Sequence, residues 1–122
     1  MWDARDRMDD DDLDLDLEDE LNINEEGGMK YDKNKIRMEL TPPEALMAFA
    51  EVMTFGAKKY SPNNWKKVHI ADYIGALERH IQKYKAGERI DKDSGLRTTA
   101  HIVCNAMFIC QLDIEGKEFK ID

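Results

Sequence analysis

The chain has 122 residues, of which 36% are charged, and a formal net charge of −8 at pH 7. This length is sufficient for one small domain. No apolar run approaches the length of a membrane span, and the first residues lack the basic and apolar regions of a secretory signal, so we expect a cytoplasmic protein without a membrane partner.

Charge is distributed unevenly along the chain. Residues 1–28 contain thirteen of the 26 acidic residues and two of the 18 Lys and Arg, whereas residues 29–122 have a net charge of +3. The stretch DDDDLDLDLEDELNINEEGG cannot bury enough apolar surface to offset its ordering entropy. We therefore predict an acidic disordered tail over 1–28 and one folded domain over 29–122. Two other interpretations of the tail remain. The leucines that alternate with acids could dock on a partner protein, and the acids could mimic a nucleic-acid backbone and bind a basic nuclease.

The first predicted helix spans residues 42–59, after a basic and irregular stretch, MKYDKNKIRMEL. The run Thr41-Pro42-Pro43-Glu44 is typical of a helix start, with Thr41 as the cap and Glu44 completing a capping box. Apolar residues then recur at helical spacing up to the turn Ser61-Pro62-Asn63-Asn64: Leu46, Phe49, Ala50, Met53, Ala57 and Tyr60.

Two further helices are predicted over residues 69–86, followed by Gly87 as the residue after the C-cap, and over residues 94–114. Helix 94–114 is apolar nearly all round, so two neighbouring helices do not cover it and we expect a homodimer or larger homo-oligomer. Cys104 and Cys110 lie six residues apart on it and point in different directions, which predicts two reduced core cysteines rather than a disulfide. The expected fold is an all-α bundle of three main helices completed by oligomerisation.

The turn GERIDKDSG between the last two helices collects three carboxylates, those of Glu88, Asp91 and Asp93. Hard oxygen ligands in one short loop suit Mg²⁺ or Mn²⁺. The alternative is a solvated connection in which Asp93 or Ser94 merely caps the following helix.

Histidines on both flanking helices are further candidates. His101 and Asn105 share one face of the third helix, where His101 is either a satisfied core histidine or a group that binds metal or transfers protons. His80, with Arg79 and Lys83 on the second helix, is either a boundary residue or part of an anion site. Glu51 on the first helix is either solvent-exposed or turned toward a site between helices.

A cluster of cations and aromatic residues follows the first helix: Lys58, Lys59, Tyr60, Asn64, Trp65 and Lys66. Such groups can hold a phosphate and stack on a base. The cluster is less basic than most nucleic-acid platforms, so it favours a nucleotide and we expect no direct nucleic-acid binding. The alternative is that Trp65 closes the core and the lysines are solvated. A glycine-rich phosphate loop, cysteine pairs with zinc spacing, a Ser-His-Asp order and an adjacent His-Asp dyad are all absent from the sequence.

Four segments taken in order resemble the phage-encoded dATP/dGTP diphosphohydrolase N-terminal family, which is linked to the MazG-like all-α nucleoside triphosphate pyrophosphohydrolases: KYDKNKIRMELTPPEAL, FGAKKYSPNNW, ALERHIQKYKAGERIDKDSG and AHIVCNAMF. The resemblance covers roughly residues 27–113. It implies hydrolysis of a purine deoxynucleoside triphosphate to monophosphate and pyrophosphate, Mg²⁺ held by acidic side chains, an oligomer, and a role in the nucleotide pool of an infected cell. Of the MazG-like acidic pattern, only Glu88-x-x-Asp91 is present, and Glu51, Asp72 or Glu78 are candidates for the missing half.

The resulting assignment gives three groups of residues. The catalytic candidates are Glu88, Asp91 and His101, and the Mg²⁺ or Mn²⁺ ligands are Glu51, Glu88, Asp91 and Asp93. The nucleotide-binding candidates are Lys35, Arg37, Lys59, Tyr60, Asn64, Trp65, Arg79, His80 and Asn105. The alternative functions are a phage protein that binds a nucleotide without hydrolysing it, and an anti-defence protein that acts through the acidic tail.

Overall fold

The structure is a computed structural model that describes residues 21–23, 25–31 and 34–121. The described residues fall into two compact units that divide between Thr41 and Pro42. The predicted disordered tail falls largely on residues 1–20, which lie outside the described residues.

The first unit contains a small hairpin that the sequence analysis did not predict. Strands β1 (Leu21–Ile23) and β2 (Met29–Tyr31) pair antiparallel, with Leu21 opposite Tyr31 and Ile23 opposite Met29. Gly27, between the strands, has φ +86°, a left-handed conformation that suits glycine. The predicted boundary at residue 28 thus falls inside this hairpin. Three-residue strands are too short for an alternating pattern to be recognised in a sequence. A 3₁₀ turn, Met38–Leu40, follows.

The second unit is helical, as predicted. Its helices are α1 (Pro43–Lys59), α2 (Ile70–Lys85) and α3 (Thr98–Ile114), with a 3₁₀ segment (Asn64–Lys67) between α1 and α2. This confirms an all-α bundle of three main helices. Helix α3 begins four residues later than predicted, because residues 91–96 form a closed loop instead of a first helical turn.

The helix ends confirm one predicted cap and correct the other. Gly87 has φ +101°, and the N–H groups of Gly87 and Glu88 bond to the carbonyls of Tyr84 and Lys83, which ends α2 in a Schellman motif. The predicted capping box at α1 is wrong. The N-cap residue is Pro42, with no side-chain cap bond. The Thr41 hydroxyl instead donates to the carbonyl of Met38 (2.8 Å).

Helix α3 packs against both α1 and α2, more extensively against α2. One core cluster joins α3 to α1 and contains Val52, Ala100 and Cys104. A second joins α3 to α2 and contains Ile70, Tyr73 and Leu112. Phe108 packs against both clusters and links them. A cleft lined by residues of all three helices, Phe108 among them, lies along this junction.

Several apolar residues that were assigned to the core are exposed. Leu46 and Tyr60 of the predicted first stripe are exposed, and Val52 is the buried residue of α1. Helix α1 packs against α3. The surface of α1 that this contact covers is therefore narrower than the apolar stripe predicted. Cys110 is exposed rather than buried, whereas Cys104 is buried, and neither forms a disulfide. No helix in the described part of the chain is long and apolar enough to cross a membrane.

Candidate active site

A cleft of about 600 Å³ opens between the three helices. Its lining combines apolar and aromatic residues with polar and charged ones. Nine of the residues that the sequence singled out line it: Lys59, Tyr60, Asn64, Trp65, His80, Asp91, Asp93, His101 and Asn105. A volume of this size and a mixed lining are typical of small-molecule sites.

The loop between α2 and α3 folds around the carboxylate of Asp91. Its Oδ2 accepts hydrogen bonds from the Asp93 N–H (3.2 Å), the Ser94 N–H (2.9 Å) and the Ser94 hydroxyl (3.1 Å). The Asp91 carbonyl accepts from the Gly95 N–H, and the Asp91 N–H donates to the Leu96 carbonyl. Asp91 is only 8% exposed, so its charge depends on these donors.

The same contacts determine the charge state of Asp91. Burial by itself would raise the pKa of this carboxyl group. The hydrogen bonds from Ser94, together with the charges of His101 and His80, outweigh burial and hold the pKa below its ordinary value. The group is therefore a carboxylate at neutral pH.

Two histidines flank this carboxylate, one from α2 and one from α3. The rings of His80 and His101 stack with their centroids 5.0 Å apart and 25° between their planes. Their Nε2 atoms lie 3.7 Å from Oδ1 and from Oδ2 of Asp91, respectively. Burial lowers the pKa of His101; the charge of Asp91 opposes this shift and that of His80 adds to it. His101 is therefore a neutral imidazole at neutral pH, the form that accepts a proton.

Asn105 lies one turn beyond His101 on the same face of α3, as predicted. Its Nδ2 donates to the His101 carbonyl (2.9 Å), which fixes the orientation of the amide because a carbonyl only accepts. The side-chain oxygen remains as a hydrogen-bond acceptor on a residue that lines the cleft.

Cations border the cleft on two sides. Lys59 Nζ lies 2.7 Å from Oδ2 of Asp93 and joins the end of α1 to the loop before α3. The hydrogen bond to Asp93 raises the pKa of Lys59. Lys83 lines the cleft from α2, one turn after His80, and has no ion-pair partner among the described residues. Of the two cations that the sequence analysis named beside His80, Lys83 lines this cleft and Arg79 does not.

The aromatic residues divide between core and cleft. Trp65 stacks on Phe108, with centroids 4.8 Å apart and 11° between the planes, and also lines the cleft. The Tyr73 hydroxyl donates to the Trp65 carbonyl (2.6 Å), and burial raises the pKa of Tyr73 to about 12. Tyr60 at the rim is 65% exposed. Trp65 thus packs against the core, as one interpretation predicted, and also lines the cleft.

Five predicted site residues do not line the cleft. Glu51 is exposed on α1, and Glu88 is half-buried just after α2. Arg79 lines a separate shallow depression on the surface of α2. Lys35 and Arg37 belong to the first unit, where Arg37 pairs with Glu39 (3.3 Å).

The four predicted metal ligands are not gathered into one cluster. Asp91 faces the donors of its own loop and Asp93 faces Lys59, while Glu51 and Glu88 do not line the cleft. Within the described ranges, no group of three or more His, Cys, Asp and Glu is placed to hold a metal ion. Among the described residues, this donor arrangement does not fit a resident metal ion.

Comparison with known proteins gives two matches. The sequence model of the family described as dATP/dGTP diphosphohydrolase, N-terminal, matches residues 25–121. A relative from Salmonella phage PMBT28, named dATP/dGTP diphosphohydrolase, is 30% identical over 82 residues, which are 67% of this chain and 28% of that protein. The matched part thus spans just over a quarter of the relative's length. No solved structure matches the chain.

Proposed function

The chain belongs to the dATP/dGTP diphosphohydrolase N-terminal family, and on this premise we propose that it hydrolyses a purine deoxynucleoside triphosphate to the monophosphate and pyrophosphate. The observation that supports the proposal is the cleft, whose lining includes a neutral histidine, an ionised carboxylate, two lysines and aromatic side chains. The proposed biological setting is the purine deoxynucleotide pool of a phage-infected cell.

His101 is the proposed proton acceptor. A water molecule attacks the α-phosphorus, a new P–O bond forms, the bond from the α-phosphorus to the bridging oxygen breaks, and pyrophosphate leaves. His101 takes the proton of the attacking water, and the neighbouring Asp91 carboxylate stabilises the imidazolium that forms. Proton transfer to a positioned base typically contributes about 10²–10⁴-fold to the rate.

Lys83 and Lys59 are the proposed phosphate contacts. The leaving pyrophosphate is strongly negative, so cations must neutralise its oxygens. Lys83 has no ion-pair partner in the described part of the chain and can contact a phosphate directly. Lys59 must first leave Asp93. The exposed ring of Tyr60 and the edge of the Trp65–Phe108 stack are the surfaces available to the base.

Mg²⁺ dependence remains a prediction, and we propose that the ion enters as the magnesium complex of the triphosphate. The described carboxylates do not form a metal cluster, which favours an ion that arrives with the substrate. A cation on the triphosphate neutralises the same oxygens that the lysines contact. Removal of Mg²⁺ with EDTA is expected to abolish turnover while the chain stays folded, as checked by circular dichroism.

Binding without hydrolysis is the second candidate function. Two observations support it. The described carboxylates do not form a metal cluster, and the match covers only 28% of the relative's length. Calorimetry with dATP in EDTA separates the two functions. Metal-independent binding without any product favours sequestration, whereas product that requires Mg²⁺ excludes it.

Self-association is also proposed. Val103, Met107 and Ile114 lie along one face of α3 and are exposed. They follow the i, i+4, i+11 spacing of one helix face and are not covered by α1 or α2. The proposed partner for this face is a second copy of the chain, as the apolar sequence of α3 predicted.

The test of the proposed site compares two histidine variants of the full chain. His101→Gln is expected to lower kcat for dATP at least about hundredfold, because a general base is lost. His69→Gln is the matched control, since His69 is exposed and does not line the cleft. Equal turnover by both variants would contradict the proposed role of His101.

A further inference from the structure

Three hydrogen bonds meet at the hydroxyl oxygen of Ser94, in the loop before α3. The Leu96 N–H donates to Ser94 Oγ (3.1 Å). The same Oγ lies 3.1 Å from Oδ2 of Asp91 and 2.7 Å from Nε2 of His101. A hydroxyl group has one hydrogen and two lone pairs, so only certain placements of the hydrogens satisfy all three contacts.

The positions of the hydrogen atoms follow from the groups that can only accept hydrogen bonds. A carboxylate has no hydrogen to give, so the Ser94 hydroxyl must donate to Asp91; otherwise two oxygen lone pairs would face each other at 3.1 Å. The Leu96 N–H occupies one lone pair of Ser94 Oγ. The second lone pair faces His101, so His101 Nε2 must supply the hydrogen of the 2.7 Å contact.

We infer that Ser94 is a positioning residue that keeps the ring proton of His101 on Nε2 and leaves Nδ1 as the proton acceptor. Nδ1 of His101 has no partner among the described residues, and His101 lines the cleft. This inference deepens the proposed function: the assignment of Nδ1 as the catalytic base rests on that function. It names the atom of His101 that takes the proton from water.

His80 provides a comparison inside the same cluster. Its Nδ1 lies 2.9 Å from the carbonyl of Ala76, and because a carbonyl only accepts, Nδ1 of His80 carries the proton. The two stacked rings therefore carry their protons on opposite nitrogens. The state of His80 depends on the backbone of α2 and not on Ser94.

The test is ¹H–¹⁵N correlation NMR of the histidine rings in the full chain, labelled with ¹⁵N-histidine, at about pH 8, where neutral rings dominate. The chain has three histidines, so single His→Gln variants assign every signal. We expect a slowly exchanging Nε2 proton for His101 and an Nδ1 proton for His80. Exposed His69 should show a rapidly exchanging average of the two tautomers. A proton on Nδ1 of His101, or averaging like that of His69, overturns the inference without any variant.

Substitutions at Ser94 test whether its hydroxyl group keeps the ring proton of His101 on Nε2. Ser94→Ala removes the acceptor and is expected to abolish the slowly exchanging His101 signal and to leave His80 unchanged. Ser94→Thr keeps the hydroxyl group and should preserve the signal; its loss in Ser94→Thr, or its persistence in Ser94→Ala, would overturn the role of Ser94. In turnover of dATP, Ser94→Ala should lower kcat about hundredfold with little change in KM, and Ser94→Thr should restore it.

The two possible failures are distinguishable. Absence of hydrolysis by the wild-type chain would overturn the proposed function and the role of Nδ1 as the base. It would not alter where the NMR experiment locates the ring proton. Hydrolysis together with a His101 proton on Nδ1 would overturn this inference alone.

Discussion

Thr98 is almost fully buried at the start of α3, and its hydroxyl has no hydrogen-bond partner. At 1% exposure, Thr98 Oγ1 is the one such atom among the fully buried side-chain nitrogens and oxygens of the described residues. An unsatisfied buried hydroxyl costs about 1–3 kcal/mol. Thr98→Val keeps the shape and removes the hydroxyl, so we predict that the free energy of unfolding rises by about 1 kcal/mol in urea denaturation.

The neighbouring residue gives the control for this prediction. Thr99 is exposed, so Thr99→Val should change stability by less than about 0.5 kcal/mol. A marked loss of stability in Thr98→Val would mean that the hydroxyl is satisfied in solution.

Acid should destabilise the fold through His101. Its pKa is lowered by burial in the folded state from an ordinary value of 6.5, so the unfolded chain binds more protons just below that value. Stability therefore falls as the pH drops below 6.5. Asp91, whose folded pKa is also lowered, adds a second loss below its ordinary value of 3.8. Thermal unfolding between pH 7.5 and 5 is expected to show a smaller decrease in Tm for His101→Gln than for the wild type, and an unaltered decrease for His69→Gln.

Lys83 is expected to be a main electrostatic contact for the triphosphate. Lys83→Ala should weaken binding of α,β-methylene-dATP about tenfold, since a hydrogen bond to a charged group is worth about 1.5–3 kcal/mol. Lys85→Ala removes the same charge from the same helix, but Lys85 does not line the cleft. Calorimetric titration of both variants checks this prediction. Equal weakening by both would indicate a general charge effect and no specific contact.

At the scale of elements, the exposed apolar face of α3 predicts a dimer. Met107 is 46% exposed near the middle of this face. Light scattering coupled to gel filtration should give twice the chain mass of 14.2 kDa for the wild type. Met107→Glu keeps a good helix former and places a charge on the face, so it should shift the mass to that of a monomer. A monomeric wild type at about 100 μM, well above the Kd of stable dimers, would contradict self-association.

The helices could be predicted from sequence, because their apolar residues repeat at helical spacing over sixteen or seventeen residues. The conformation of the loop between α2 and α3 could not be predicted from residue spacing. Asp91, Asp93 and Ser94 were recognised as a chemically rich turn, but spacing does not tell whether a carboxylate faces a metal ion or the N–H groups of its own loop. In the structure Asp91 faces the loop and Asp93 faces Lys59.

The sequence predicted the positions of the helices better than it predicted which apolar side chains on each helix are buried. Periodicity identified the apolar stripes, yet it could not show that α3 leaves Val103 and Met107 uncovered or that Leu46 is exposed on α1. Which part of a stripe is covered depends on how the helices cross, and that geometry is set by packing between elements that are distant in sequence.

At the scale of the whole molecule, the proposed function depends on one cleft between the three helices. Nine residues from separate parts of the sequence converge there, and the family match covers the same region. Because the proposed function depends on this cleft, the reaction itself should be measured first.

The most direct measurement is an incubation of the full chain with each of the four dNTPs and four NTPs, in Mg²⁺ or in EDTA. Chromatography identifies the nucleoside product and an enzymatic assay detects pyrophosphate. The account predicts monophosphate and pyrophosphate in equal amounts from dATP or dGTP, in Mg²⁺ only, and a rate at least about hundredfold lower from His101→Gln. No product from any nucleotide, or release of inorganic phosphate in place of pyrophosphate, would contradict it.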